Sequence, residues 1–425
     1  MFYEYLKTQM NISYQVVDFV AKLESEIAPI YENADNIAAI NQLKVLSAMQ
    51  SCRLSDTHFN DSTGYGYNDE GRETLEEIFA KTFKVEAAIV RPQIVSGTHA
   101  LATALFGNLR PGDTLLSPVG KPYDTLESVI GIRPASGSLA EYGVTYRQVD
   151  LLENGKFDYE EIRNALARKP KMVTIQRSKG YSWRSSFTIN ELRELISCIR
   201  IESPDTIILV DNCYGEFVQT EEPSEADLIV GSLIKNPGGG IAAGGGYVAG
   251  KKENVEAAAE RLTAPGIGSA VGPSLGMTRS ILQGLFLAPQ TVSASIKGAV
   301  LGAAAFSRLG FDVNPGINDV RSDIVQAIKL KTPENVLSFC AAIQKAAPVD
   351  GYVTPEAAPM PGYGHNVVMA GGTFIQGSSI ELSADAPMRE PYIVYFQGGL
   401  TPAHSRTGVI FALDALYKGG AIVLP

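Results

Sequence analysis

Two ionisable residues stand directly after apolar, strand-like runs in the middle of the chain. Asp211 follows the run Ile207–Val210, and Lys235 comes three residues after Ser232, which closes the next such run. Ligands of open α/β sheets bind beyond the carboxyl ends of strands, so both side chains are placed where chemistry occurs. A lysine that is desolvated or close to other cations has a lowered pKa, and its free amine can form a Schiff base. The same pattern also allows a plain interpretation, in which Asp211 caps a turn and Lys235 is a solvated surface residue.

A second pattern is suited to a phosphate monoester and a flat ring. Ser96, Gly97 and Thr98 open a predicted helix over 97–109. Small residues at a helix start leave backbone N–H groups facing outward, where the helix dipole favours an anion. Tyr123 opens the next predicted helix, and its ring can stack on a heterocycle. Each feature has a structural alternative, because Ser-Gly-Thr is also an ordinary helix cap and Tyr123 can be a core tyrosine.

The order Ser-Gly-Thr, Tyr, Asp and Ser-x-x-Lys resembles that of the fold-type I pyridoxal-phosphate enzymes, and within them the cystathionine-lyase and methionine γ-lyase group. A more specific similarity is to the family labelled aluminum resistance protein, or methionine γ-lyase-like. The segments that carry it are Gly-Tyr-Gly-Tyr-Asn-Asp-Glu-Gly-Arg at 64–72, Arg-Ser-Lys-Gly-Tyr-Ser-Trp-Arg at 177–184, and Arg-Glu-Pro-Tyr at 389–392 through Gln-Gly-Gly-Leu at 397–400. The resemblance covers nearly the whole chain.

The resemblance implies a site for pyridoxal 5′-phosphate. Lys235 would carry the cofactor as a Schiff base, and Asp211 would keep the pyridine nitrogen protonated so that the ring can take up carbanion charge. Tyr123 would stack on the ring and assist proton transfer. The phosphate would be held by Ser96, Gly97, Thr98 and Ser232. Tyr65 or Tyr67 would reach the phosphate of a neighbouring subunit, which implies a homo-oligomer, a dimer or a dimer of dimers, with active sites at the dimer interface.

The chain departs from the better-known lyases of this group in three places. Their Ser-x-Thr-Lys is Ser-Leu-Ile-Lys at 232–235, which removes one phosphate-binding hydroxyl. Their Tyr-x-Arg, which reaches across subunits, is Tyr-Gly-Tyr at 65–67, with Arg72 as the nearest guanidinium. Their Tyr-Gly-Gly-Thr is Tyr-Asp-Thr at 123–125. The phosphate cup and the substrate pocket are therefore expected to differ in detail.

An amino-acid substrate needs a guanidinium for its α-carboxylate, because the bidentate pair fixes both position and orientation. Arg389 is the first candidate, since it falls between predicted strands of the smaller domain, as in the family. Arg177, Arg184 and Arg406 are the alternatives, and each of the four can instead belong to a surface or interdomain ion pair.

The resemblance favours β- or γ-elimination of a sulfur leaving group from cystathionine or methionine, with Lys235 as the base for the α-proton. The alternative is an aminotransferase, or another amino-acid lyase, on the same scaffold. Products distinguish the two classes. Elimination gives a 2-oxo acid, ammonia and a thiol from one substrate, whereas transamination needs a second oxo acid and releases no ammonia.

The elements that must position these residues follow an α/β pattern. From about residue 86, strand-like runs at 88–90, 114–116, 144–149, 172–175, 207–210 and 228–230 alternate with helical stretches near 97–109, 124–131, 158–168 and 189–201. This alternation predicts a mostly parallel sheet covered by helices on both faces. Together with the resemblance it implies the aspartate aminotransferase type I fold, that of the transferase-like pyridoxal-phosphate enzymes.

Three units are predicted along the chain: an N-terminal helical arm at 1–60, a large cofactor-binding α/β domain at 61–290 and a small C-terminal α/β domain at 291–425. In the last unit, strands are expected at 366–370, 379–382 and 393–396, and helices near 332–346 and 402–417.

Composition and spacing argue against several other classes. The formal net charge of −10, without any basic run, gives no footprint for nucleic acid. No apolar window approaches the roughly 20 residues of a membrane-spanning helix. The cysteines and histidines show no metal-ligand spacing, and 238–243 matches a dinucleotide-binding G-x-G-x-x-A only until the glycines at 244–246 would break its helix. We expect a cytoplasmic protein that binds a small amino acid and no metal.

Overall fold

The chain folds around two β-sheets, as a computed structural model that describes residues 1–425 shows. The helices are α1 (Phe2–Gln9), α2 (Tyr14–Ser51), α3 (Glu70–Phe83), α4 (Gly97–Asn108), α5 (Asp124–Ile130), α6 (Tyr159–Leu166), α7 (Ile189–Glu202), α8 (Lys252–Leu262), α9 (Thr278–Arg308), α10 (Pro333–Ala346) and α11 (Pro402–Lys418). The strands are β1 (Ala87–Arg91), β2 (Thr114–Ser117), β3 (Thr145–Gln148), β4 (Met172–Gln176), β5 (Ile207–Asp211), β6 (Leu228–Ser232), β7 (Gly246–Gly250), β8 (Val313–Asn314), β9 (Gln326–Lys329), β10 (Ala358–Pro359), β11 (Asn366–Ala370), β12 (Ser383–Pro387) and β13 (Ile393–Gln397).

The first sheet has seven strands in the order β1-β7-β6-β5-β4-β2-β3. The strands from β6 to β3 run parallel, whereas β7 pairs antiparallel with both of its neighbours, so the sheet is mixed but mostly parallel. Both faces are covered: Ile208 and Val210 of β5 belong to one core cluster, and Leu209 belongs to another on the opposite face. Strands buried on both faces read as continuous apolar runs, which is why the sequence revealed them. The predicted fold class is confirmed.

The N-terminal segment consists of α1 and the 38-residue α2, as its periodicity predicted. Val16, Val20, Leu23 and Ile27 recur every three or four residues and are buried. These side chains belong to the main core cluster, and α2 packs against both α9 and α11. Burial of one such side chain is worth about 1.5–3 kcal/mol, so the contact holds α2 on the rest of the chain. The predicted boundary at residue 290 falls inside α9, which continues without a break from residue 278 to 308.

The second sheet has six strands in the order β10-β11-β12-β13-β9-β8, all antiparallel. The strand predicted at 379–382 is wrong: β12 begins at Ser383. The apolar residues Ile380 and Leu382 misled the prediction, because they are buried in a turn rather than in a strand. In that turn, the Glu381 carboxylate accepts hydrogen bonds from the Phe374 and Ile375 amides.

None of the helices combines the length and apolar character needed to cross a membrane.

Candidate functional site

The acid and the amine singled out in the sequence lie at the carboxyl ends of adjacent parallel strands. Asp211 is the last residue of β5 and pairs in register with Val230 of β6. Lys235 follows the end of β6 at Ser232. No direct ion pair joins the two side chains, yet each affects the pKa of the other. The fold therefore brings them to one edge of the sheet with space between their charged ends.

Asp211 is buried, and its carboxylate is only partly used by the protein. Oδ1 accepts a hydrogen bond from the Cys213 amide at 3.1 Å, and no hydrogen bond reaches Oδ2. Burial raises the pKa of Asp211, and the positive charge of Lys235 opposes that shift. A cation placed against Oδ2 would hold this carboxylate in its charged form.

Lys235 is partly buried, and its Nζ lies 4.0 Å from the centre of the Tyr214 ring. Burial by itself lowers the pKa of Lys235, but the neighbouring Cys213, Tyr214, Asp211 and Glu216 outweigh burial, and the pKa is raised overall. The expectation of a lowered lysine pKa is wrong for this structure, because the neighbours are acidic groups rather than cations.

The turn that carries Lys235 is fixed from two sides. The Asn236 side-chain amide donates to the carbonyl oxygens of Tyr214 and Glu216 at 3.0 and 2.9 Å. The Glu216 carboxylate, in turn, accepts from the Tyr247 hydroxyl at 2.8 Å. Sequence reasoning did not single out Asn236, Tyr214 or Glu216, although Asn236 directly follows the lysine. These bonds connect the lysine turn to the segment after Asp211.

The glycine run after Lys235 allows a close crossing with α9. Gly238 ends a short 3₁₀ turn, and Gly239 has a positive φ of 55°. A Cβ on Gly284 of α9 would overlap the backbone of Gly238, and one on Gly239 would overlap the carbonyl of Gly284. The run therefore serves backbone packing and opens no dinucleotide-binding helix.

The start of α4 approaches the ends of β5 and β6. A Cβ on Gly97 would lie 3.4 Å from both Cys213 Sγ and Ser232 Cβ, so the start of the helix packs closely on these two residues. Ser96 caps α4 by accepting the His99 amide at 3.0 Å. The structure thus brings Gly97 and Ser232 together, and it also gives Ser96 the capping role that was its structural alternative.

Tyr123 stands at the start of α5, in a cluster of aromatic rings. Its hydroxyl is 2.7 Å from that of Tyr363, and its ring centre is 5.6 Å from that of Tyr181. Burial raises the pKa of Tyr123 well above its ordinary value, so the hydroxyl is protonated. Next to it, Thr98 and Thr125 are joined by a hydroxyl–hydroxyl contact of 2.7 Å, which ties the starts of α4 and α5.

Tyr65 and Tyr67 are not brought to this edge within one chain. Their side chains are 73% and 63% exposed, and their rings stack on each other at 5.5 Å. Arg72, the guanidinium nearest in sequence, is buried and donates to the carbonyls of Gly66 and Gly272 at 2.6 and 2.9 Å. It holds the tyrosine loop in place and is not free for an external phosphate.

The four candidate arginines have different surroundings. Arg177 is fully buried and donates to Asn212 Oδ1 at 2.7 Å, while Arg406 pairs with Glu24 at 3.0 Å. Both belong to structural contacts.

Arg184 and Arg389 line a cavity of about 400 Å³ beside Tyr123. Arg184 donates to the Gln176 carbonyl at 3.0 Å. Arg389 is exposed, and its guanidinium has neither a hydrogen bond nor an ion pair within the chain. Arg389 is thus the arginine that can meet a carboxylate in this cavity.

The second sheet contributes a wall that sequence reasoning missed. Tyr395 of β13 packs on Tyr181 with ring centres 5.1 Å apart. Asp385 of β12 is paired in register with Tyr395, and its Oδ2 accepts from Gln397 Nε2 at 3.2 Å. Burial raises the pKa of Asp385 to about 6. The alternation of Ala384, Asp385 and Ala386 could have revealed this residue, had the strand been placed correctly.

The same arrangement of sheets and helices occurs in another solved α/β protein. The pyridoxal-5′-phosphate dependent protein YhfS from Escherichia coli shares the fold with a TM-score of 0.58 at 17% identity, covering 90% of this chain and 96% of that one.

The family model described as methionine gamma-lyase matches residues 16–417, and the chain belongs to this family. A carbon-sulfur lyase involved in aluminum resistance from Clostridium novyi NT is 48% identical, with a TM-score of 0.92 over 97% of this chain and 98% of that one. The uncharacterized protein YnbB of Bacillus subtilis strain 168 is 50% identical over 401 residues, 93% of this chain and 95% of that one. The resemblance noted from the sequence motifs is confirmed.

Proposed function

We propose that this protein is a pyridoxal-phosphate-dependent carbon–sulfur lyase that acts on a sulfur amino acid, cystathionine or methionine, by β- or γ-elimination. The observation that carries the proposal is the pair formed by Asp211, the last residue of β5, and Lys235, in the turn after the adjacent β6, with no ion pair between them. Membership of the methionine gamma-lyase family supports the reaction class.

The residues present fit the cofactor. Asp211 Oδ2 has no hydrogen-bond donor within the chain, as expected of an oxygen reserved for a pyridine N–H. Lys235 offers the amine for attachment, and the start of α4 at Gly97 lies beside Ser232, where the two would hold a phosphate. Tyr123 offers a ring at the cavity mouth. When bound there, pyridoxal phosphate would supply an electron sink for the charge left on the substrate's α-carbon.

The chain's own residues would bind and orient the substrate around that group. Arg389, which lines the cavity beside Tyr123, would pair with the α-carboxylate and so set which bond at the α-carbon faces the strand ends. Lys235 Nζ is the amine that would take the α-proton there. The Tyr123 hydroxyl, held by that of Tyr363, would keep its ring in place over the cavity. In the complete reaction, one substrate and one water give a 2-oxo acid, ammonia and a thiol.

We also propose that the protein self-associates through the loop of Tyr65 and Tyr67, as a dimer or a dimer of dimers. Two large, stacked and exposed aromatic rings, on a loop fixed by the buried Arg72, suit a contact with a second copy. All four cysteines are free thiols, which is consistent with a reducing, cytoplasmic location.

The test uses protein purified with added pyridoxal phosphate. The wild type should show an absorption band for a lysine-bound cofactor, and borohydride should fix the label on the peptide that contains Lys235. Lys235→Ala should lose both. Lys121→Ala is a matched control, because Lys121 lines the cavity beside Tyr123 but should leave the band and the label unchanged. A label on another lysine would overturn the assignment.

The same preparation separates the reaction classes. Incubation with cystathionine or methionine alone should release ammonia and a 2-oxo acid in equal amounts. A requirement for a second oxo acid, with no ammonia, would identify an aminotransferase instead.

A further inference from the structure

One acidic side chain of the second sheet, that of Asp385, points away from the main hydrophobic core. In β12, Ala384 and Ala386 point into the hydrophobic core, so Asp385 between them points to the opposite face. On that face, Tyr395 is its cross-strand neighbour, and Tyr395 packs on Tyr181 of the large-domain side. Asp385 therefore lies where the second sheet meets the residues around the cavity.

Asp385 has no permanent cation as a partner. Its carboxylate accepts a hydrogen bond from the neutral amide of Gln397, the neutral hydroxyl of Tyr181 also lowers its pKa, and no lysine or arginine forms an ion pair with it. Lys235 is the positive charge that acts on its pKa, and that amine is the one proposed to be attached to the cofactor. A partly buried carboxylate whose donors are all neutral keeps its negative charge uncompensated and has further lone pairs that can accept hydrogen bonds.

Three tyrosine rings lie within electrostatic reach of this carboxylate. Tyr181 has its ring centre 5.6 Å from that of Tyr123 and 5.8 Å from that of Tyr363, and Asp385 acts electrostatically on all three. The negative faces of aromatic rings attract cations, and a neighbouring carboxylate adds to that attraction. The same surroundings repel an anionic group and gain little from an apolar one.

We propose that Asp385, together with the tyrosines beside it, binds a positively charged group on the substrate's side chain. The enzyme would thereby select sulfur amino acids whose departing thiol carries an ammonium group. This inference rests on the proposed lyase function and concerns only the part of the substrate beyond the sulfur. Arg389 would then hold the α-carboxylate, and Asp385 would hold the cation at the far end of the side chain.

The test compares three probes that differ in side-chain charge: S-(2-aminoethyl)-L-cysteine, S-propyl-L-cysteine and S-carboxymethyl-L-cysteine, with the homocysteine analogues as a parallel series. The wild type should show kcat/KM values in the order cation, neutral, anion, with about a tenfold or larger gap between the first two. Asp385→Asn should lower kcat/KM for the aminoethyl substrate about 10- to 100-fold while changing the propyl substrate by less than about threefold.

Asp312→Asn is the matched control, because Asp312 is an exposed carboxylate of the same region, paired with Lys329. An equal loss with both substrates in Asp385→Asn would overturn the proposal and leave Asp385 a residue that only positions the wall. If that variant does not fold, the wild-type order decides, since a neutral or anionic preference is incompatible with the proposal.

Failure of the lyase function is distinguishable from failure of this inference. If no probe yields a 2-oxo acid, the proposed reaction is wrong. The charge preference is then read from the concentration of each probe that half-saturates the change in the cofactor's absorption. Equal values for the aminoethyl and propyl probes would overturn the role of Asp385.

Discussion

The large sheet holds Asp211 and Lys235 at the ends of strands that are buried on both faces, whereas the second sheet presents Asp385 from the middle of a strand with one face in the core. On the first side, the reactive groups are set by backbone: a strand ends and the side chain projects beyond it. In the second sheet, Asp385 points away from the core because successive side chains of a strand face opposite sides. Cofactor chemistry and substrate choice thus depend on different kinds of structure.

The residues of the two sheets can therefore be replaced independently of each other. Any alteration at the strand ends disturbs tightly packed groups such as Asn236 and Glu216, which connect the lysine turn to the segment after Asp211. On the other side, Asp385 and Arg389 have few partners within the chain, so their replacement should leave the rest of the fold in place.

Asp211→Asn should reduce elimination activity by roughly 10³-fold, equivalent to about 4 kcal/mol of barrier, because an amide cannot keep a pyridine nitrogen protonated. The cofactor band should persist, since the amine remains. The measurement is kcat of protein fully loaded with pyridoxal phosphate, with the exposed Asp205→Asn as control. A loss smaller than tenfold would show that the chemistry does not depend on Asp211, contrary to the role given to the large sheet.

Glu216→Gln should change how stability depends on pH. Burial raises the pKa of Glu216 to about 8, so the folded state binds a proton more tightly than the unfolded state does. Its contribution is therefore complete below the ordinary glutamate pKa and is lost as the pH rises through about 8. Between pH 5 and 8, the free energy of unfolding of the wild type should fall relative to the variant by on the order of 2–4 kcal/mol.

Urea titrations of both proteins at several pH values measure this difference. If the free energy of unfolding depends on pH in the same way in both proteins, Glu216 does not titrate in a buried state. The packing around Glu216 would then be less tight than the structure indicates.

Arg389→Lys should raise KM for the substrate about 10- to 100-fold with little change in kcat, because an ammonium cannot form the bidentate pair with a carboxylate. The exposed Arg193→Lys, in a surface ion pair with Glu221 and Glu225, serves as control. A fall in kcat with an unchanged KM would mean that Arg389 acts on the chemistry, contrary to the division between the two sheets.

Tyr123→Phe should have the smallest effect, a loss of about three- to tenfold in kcat, because the ring remains while one hydroxyl contact to Tyr363 disappears. Steady-state kinetics measure it, with Tyr146→Phe, on the edge strand β3, as control. A loss above 10³-fold would identify the hydroxyl as an acid–base group and would extend the chemical half of the site to the cavity mouth.

The contrast also explains which residues sequence reasoning could find. A fully buried strand leaves a run of apolar letters, and its end is visible, so Asp211 and Lys235 could be located with the correct strands around them. Asp385 could not be found in the same way, since Ile380 and Leu382 made the preceding turn resemble a strand. The raised pKa of Lys235 was also out of reach, because its acidic neighbours meet it only in the folded chain.

Residues that work across elements share this limit. Asn236 and Tyr363 act through partners 20 or more positions away, Tyr214 and Tyr123 respectively, and no local periodicity marks such pairs. The short strand β9 was missed for a related reason: its pairing partners β13 and β8 define it more than its own letters do.

The crossing of Gly238 and Gly284 sets a limit on how the molecule can diversify. At 1.5 Å per residue, the 31 residues of α9 make a rod about 46 Å long. This helix crosses the turn after Lys235 at Gly238 and Gly284, where neither segment has space for a methyl group. Relatives of this protein can replace the residues that contact the substrate and so change their substrate specificity. An alanine at Gly238 or Gly284 would displace the turn that carries the Lys235 amine. We therefore expect both positions to remain glycine in relatives that keep the activity.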